Sequence, residues 1–161
     1  YPDWWEGRRF SQPISAVAAG TTGKTTRDII QKKLLGNWGE LGTGLIPAEH
    51  IIRVTGKAGI QDAVELIYIK HISGGTSLLT LKSYEARRVA FEGEERHVIW
   101  LDEEPPLDIY TECLMRTMTT DGLVLCTFTP MEGMSDVVML YLEDGRIPGS
   151  QPVDGPEDDD E

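Results

Sequence analysis

Val98-Ile99-Trp100-Leu101-Asp102-Glu103 places four apolar residues directly ahead of two carboxylates. Four consecutive apolar positions leave no polar face. The stretch therefore predicts a strand covered on both sides, as in a parallel sheet flanked by helices. Pro105-Pro106 follow and open a predicted helix to about Met118, with Leu107, Tyr110, Leu114 and Met118 at helical spacing. Asp102 and Glu103 then stand at the carboxyl end of the strand, where open α/β sheets collect their chemistry.

The same alternation extends outward. Upstream, Ile14–Gly20 has the length of a buried strand, and Thr25–Leu35 reads as a helix with Ile29, Ile30, Lys33 and Leu34 on one side and Gly36 as its stop. Asn37–Leu45 is glycine-rich and irregular. Pro47 predicts a short helix to about Arg53, with Ile51 and Ile52 inward. Ala63–Ile72 and Thr76–Tyr84 are β-rich runs joined by Ser73-Gly74-Gly75, a hairpin signal. Tyr84–Phe91 reads as a link. Downstream, Leu123–Thr129 is another apolar strand and Ser135–Leu142 a last helix. The expected fold is α/β: a mainly parallel sheet with helices on both faces and an added β-hairpin.

The chain has 161 residues, the size of one ordinary domain, and 40% hydrophobic content supplies a core. No apolar run approaches the roughly 20 residues of a membrane span. Tyr1–Phe10 lacks the layout of a signal peptide, and the chain opens on Tyr1, so it is expected to be a piece of a longer protein. Cys113 and Cys126 form no CxxC pair and predict two buried thiols of a cytoplasmic protein. Net charge is −12, and six acids crowd the last eleven residues. Gly145–Glu161, with its prolines and acids, reads as a disordered tail. The remaining body is still acidic, which excludes the basic footprint of a freestanding nucleic-acid binder.

The chemistry follows from the strand ends. Apolar residues followed by Asp-Glu are what a Walker B strand requires: Asp102 takes a water of the Mg²⁺ shell and Glu103 orients the water that attacks the γ-phosphate of ATP. The same acids also suit the N-terminus of the helix that follows. Ala18-Ala19-Gly20-Thr21-Thr22-Gly23-Lys24-Thr25 resembles a phosphate-binding loop with Ala18 in place of its first glycine; it equally suits a polar loop ending in an N-cap threonine. Thr127 and Thr129 end the next strand, where hydroxyls can sense a γ-phosphate. Arg87 and Arg88, about ten positions before the Walker B strand, suit either an arginine finger or a solvated helix face.

Taken together, Tyr1-Pro-Asp-Trp-Trp-Glu-Gly-Arg-Arg-Phe10, Thr26–Gly36, Ser73–Ser77, Trp100–Pro106 and Thr127-Phe128-Thr129-Pro130 resemble the ATPase domain of tailed-phage terminase large subunits. The resemblance covers nearly all of Tyr1–Leu142. It implies a P-loop NTPase of the ASCE type that hydrolyses ATP with Mg²⁺ and drives double-stranded viral DNA into a prohead. It further implies a portal protein and a terminase small subunit as partners, a homo-oligomeric ring on the prohead, no membrane association, and a place in the host cytoplasm. Under the resemblance, Asp102 is the Walker B aspartate and Glu103 the catalytic carboxylate. Thr127–Thr129 match the coupling motif, and Arg87 or Arg88 falls where such motors place an arginine finger. In these relatives the Walker A loop lies upstream of the segment matching Tyr1–Phe10. Residues 1–145 are therefore expected to be a partial ATPase domain without Walker A, inactive alone, and 146–161 its acidic tail.

Two other readings fit. In one, Ala18–Thr25 is an atypical phosphate loop of a self-contained nucleotide-binding protein. In the other, the chain is a non-catalytic assembly module. Lys24 separates the first from the packaging reading, and Glu103 separates the second.

Overall fold

The computed structural model describes residues 6–131 and 133–142; the expected tail at 146–161 and the aromatic Tyr1–Trp5 lie outside the described residues. The chain divides after Thr129. In the second part, the Ser135 hydroxyl accepts a hydrogen bond from the Val138 amide at 3.2 Å and caps a short helix, Asp136–Met139. This is the core of the helix expected at Ser135–Leu142.

The first part is built on a six-stranded sheet. Its strands are β1 (Ser15–Gly20), β2 (Ile51–Gly56), β3 (Val64–Lys70), β4 (Thr76–Ser83), β5 (Val98–Asp102) and β6 (Leu123–Thr127), in the spatial order β2-β3-β4-β1-β5-β6. β1 pairs in parallel with β4 and β5, and β5 with β6; β2–β3 and β3–β4 are antiparallel. The sheet is thus mixed, where a mainly parallel one was expected. The reason lies at Ile51–Gly56. Pro47 stays extended (φ −61°, ψ 149°), only Ala48–His50 forms a 3₁₀ turn, and Ile51, Ile52, Val54 and Thr55 enter a strand. β-branched side chains favour the pleated sheet, and this run overrides the helix-start preference of proline. The predicted hairpin becomes a three-stranded antiparallel unit, turning at Gly74 with φ 88°.

Two helices position the sheet. Helix α1 (residues 23–35) opens and closes with α-helical turns and is π-helical over Thr26–Gln31. The Thr26 hydroxyl donates to the Thr22 carbonyl at 2.8 Å, which its own amide also reaches at 2.9 Å. Such sharing loosens the first turn. The wider turn also changes which residues face inward. Ile30, Gln31 and Leu35 are buried, while Ile29, expected on the apolar stripe, is about half exposed and Lys33 exposed. Ile30 and Leu35 join Ala18, Val64, Ile67 and Leu81 in one core cluster. Gly36, at φ 91°, ends the helix as expected.

Helix α2 (Leu107–Thr117) buries Ile109, Tyr110 and Cys113. It packs along β5, β6 and the 3₁₀ turn Arg88–Phe91. By strand alternation it covers Ile99 and Leu101, the face opposite Trp100. β6 lies at one edge of the described sheet, and Leu125 is about half exposed although its sequence reads as fully covered. Cys113 is buried and its thiol is pushed up to about 12 by that burial, whereas Cys126 is only half-buried, against the expectation of two buried thiols. No helix among the described residues is long and apolar enough to cross a membrane.

Candidate active site at the carboxyl ends of the strands

β5 and β6 are in register with Asp102 opposite Thr127. Trp100 and Asp102, two positions apart, point to one face. The Trp100 indole Nε1–H donates to Thr127 Oγ1 at 2.8 Å, and Thr127 Oγ1 donates to Asp102 Oδ1 at 2.7 Å. The direction of this relay is fixed chemically. An indole only donates and an ionised carboxylate only accepts, so the single hydroxyl proton must go to Asp102. Two of the expected site residues, Asp102 and Thr127, are therefore brought together, and Trp100 is added to them. Thr129 is exposed, two residues past the end of β6, and does not join the relay.

Glu103 lies next to this pair with its side chain exposed. Its amide donates to the Thr127 carbonyl at 3.0 Å, and its backbone is left-handed, with φ 65°. Tyr84 Oη donates to the carbonyl oxygens of both Asp102 and Glu103, each at 3.0 Å. Burial, first of all, raises the Tyr84 phenol well above its usual pKa, so the hydroxyl stays protonated.

The two arginines behave differently. Arg88 pairs with Glu112 at 3.0 Å and with Glu92 at 2.8 Å. Glu112 is a buried carboxylate on α2 that also lies 2.9 Å from Arg116 Nε, although that N–H is not aimed along the contact. A lone charge there would be costly, so Arg88 serves to balance Glu112. Arg87 is exposed and left-handed at φ 60°, three residues past Tyr84. Both lie on 3₁₀ turns and their junction, not on the solvated helix face that the sequence also allowed.

Within the segment resembling a phosphate loop, the amides of Thr22, Gly23 and Thr25 are committed, as is that of Thr26 just after it. Gly23 N–H donates to Glu85 Oε2 at 2.9 Å, Thr25 N–H to Thr22 Oγ1 at 3.0 Å, and Thr26 N–H to the Thr22 carbonyl at 2.9 Å. The Thr22 amide in turn donates to Thr25 Oγ1 at 2.9 Å, completing a capping box. A phosphate cradle needs such N–H groups open to the ligand. This is the N-cap threonine arrangement. Thr22→Ala is expected to lower stability by about 1 kcal/mol, seen as a reduced urea midpoint at unchanged slope.

An open apolar groove of about 1000 Å³ runs along the Trp100 face, lined by Phe10, Ala16, Leu34, Leu79, Val98 and Leu125 among others. It does not include Asp102 or Glu103, so it is a feature of the sheet face and not the chemical site. Among the described residues there is no cluster of three or more His, Cys, Asp or Glu able to hold a metal. The oriented Asp102 carboxylate suits Mg²⁺, which keeps several waters and binds through one or two carboxylates together with substrate phosphates.

The family model for the terminase large subunit, T4likevirus-type, N-terminal, matches residues 10–153. The chain belongs to the terminase large subunit family. The terminase large subunit of Salmonella phage P22 is 35% identical over 151 residues, which covers 89% of this chain and 30% of the relative. The chain thus spans less than a third of that terminase. No solved structure matches. What sequence reasoning missed in this terminase segment are Trp100, Tyr84 and Glu85. Trp100 stood inside the apolar strand run, and nothing local marks its indole as a donor. Tyr84 and Glu85 fell in what read as a link.

Proposed function

We propose that the chain is the Walker B and coupling part of an ATP-hydrolysing DNA-packaging motor, a P-loop NTPase of the ASCE type. The observation that carries this is Asp102 at the end of β5, oriented by Thr127 from β6, with the open Glu103 carboxylate beside it. Membership of the terminase large subunit family supports it.

In this reading Asp102, held by Thr127 with Trp100 behind it, would hold Mg²⁺ through water. Mg²⁺ bound with ATP would supply neutralisation of the charge developing on the phosphates. Glu103 orients the attacking water and accepts its proton. Thr127 is bonded to Asp102 and precedes Thr129 on the same strand end, so a change at the phosphates can pass into the segment after β6. Arg87 is the more available arginine finger, because Arg88 balances Glu112. Double-stranded viral DNA, a portal protein, a terminase small subunit and a homo-oligomeric ring on the prohead, in the host cytoplasm, complete the reading. The chain carries −12 overall, so the DNA contact belongs to local groups or to other parts of the motor.

Lys24 tests this reading against a phosphate loop at Ala18–Thr25. In an intact large subunit containing this chain, Lys24→Ala is expected to leave the affinity for MgATP unchanged, measured by calorimetric titration. A large loss of affinity would instead assign the phosphate loop to Ala18–Thr25.

A further inference from the structure

We propose that Tyr84 is a positioning residue for Glu103: its hydroxyl clamps the peptide groups on both sides of residue 103 and so fixes the direction of that carboxylate. The inference rests on the reading of Glu103 as the group that orients the attacking water.

Glu103 has φ 65°, a left-handed conformation that residues other than glycine rarely adopt. Such a conformation persists where the surroundings over-determine it. Here three backbone groups are held. The Glu103 amide donates to the Thr127 carbonyl at 3.0 Å. The carbonyls before and after the Glu103 α-carbon both accept from Tyr84 Oη at 3.0 Å. In an extended strand, consecutive carbonyls point to opposite edges, so one hydroxyl cannot reach both. The left-handed turn at Glu103 brings them to one side, and the single phenolic proton is shared between them.

The clamp is itself anchored. Tyr84 is buried, at 8% exposure, and follows β4, which is separated from β5 by β1. Its hydroxyl therefore reaches across the end of β1. The next residue ties the same turn to β1 and α1. Glu85 N–H donates to the Thr21 carbonyl at 3.3 Å, and Glu85 Oε2 accepts from Gly23 N–H at 2.9 Å. Tyr84 is the group that fixes the angle between the end of β5 and the water-activating side chain.

The test is Tyr84→Phe in an intact large subunit, which keeps the buried ring and removes the clamp. Misplacing a catalytic group by about 1 Å costs on the order of 100-fold. The expected result is a kcat lowered roughly 10- to 100-fold with KM unchanged. Amide exchange at Glu103 and Glu104 in the variant is expected to be faster than in the parent. Placed in a Glu103→Gln background, Tyr84→Phe is expected to cause no further loss of kcat, because it acts through Glu103. A further loss in that background would assign Tyr84 a general structural role and overturn the proposal. So would a parental kcat in Tyr84→Phe, while an inactive Glu103→Gln in the same assay would leave the reading of Glu103 standing. A fully active Glu103→Gln would overturn that reading first, and the proposal with it.

Discussion

Glu103→Gln in an intact large subunit containing this chain is expected to lower ATP turnover on the order of 100- to 10,000-fold while leaving the affinity for MgATP close to that of the parent. The substitution keeps the shape of the side chain and its left-handed backbone, and removes only the ability to take a proton. Glu103 makes its structural bonds through its amide and carbonyl, to Thr127 and Tyr84, and its carboxylate is exposed. The fold should therefore not register the change, and a urea transition superimposable on the parent would confirm that. Turnover by an enzyme-coupled phosphate assay, together with calorimetric MgATP binding, separates the outcomes. Lost turnover with retained binding is the expected pair. Retained turnover would favour the reading of the chain as an assembly module.

The largest expected effect on stability is at Leu101. Its side chain is fully buried, its neighbours in register are Ala19 and Cys126, and it lies one residue before Asp102. Leu101→Ala removes three heavy atoms from the centre of the sheet, where neighbouring strands hold the backbone and limit collapse of the cavity. A loss of about 3 kcal/mol follows, within the range of roughly 2–5 kcal/mol for buried Leu→Ala changes. Urea unfolding followed by far-UV circular dichroism measures it as a lower midpoint at unchanged slope. A change below about 1 kcal/mol, the ordinary effect of surface substitutions and mild ones, would mean that β5 does not carry the core as described.

The parallel centre of the sheet was legible because its strands are short, apolar and bounded by turn residues. Ile14–Gly20, the two β-rich runs and the strand before Asp102 all came out within a residue or two of their sequence limits. Asp102 and Thr127 were each legible as polar residues ending an apolar strand, but the bond between them was not, because it depends on the register of β5 and β6. Ile51–Gly56 was not legible, since Pro47 supplies a helix-start signal at short range while the partner strand β3 lies further along the chain. The inward face of α1 was misjudged by assuming 3.6 residues per turn through a π-helical stretch. Tyr84, Glu85 and Trp100 escaped notice because their roles come from hydrogen bonds across strands, which no local pattern encodes. The same is true of Arg88, whose partner Glu112 is 24 positions away.

β1 lies inside the sheet but is the first of the six described strands in sequence order. Hydrogen bonds at its start span 63 positions, from Ile14 to Ser77, and 82 positions, from Ser15 to His97. The β3–β4 hairpin, by contrast, closes over a few residues around Gly74. Ordering a long intervening loop carries an entropic cost before any parallel contact rewards it. On the ribosome, β1 emerges long before either neighbour has been synthesised. The Asp102–Thr127 pair can form only after that wait has ended, so among the six described strands the chemical end is the last that translation can complete.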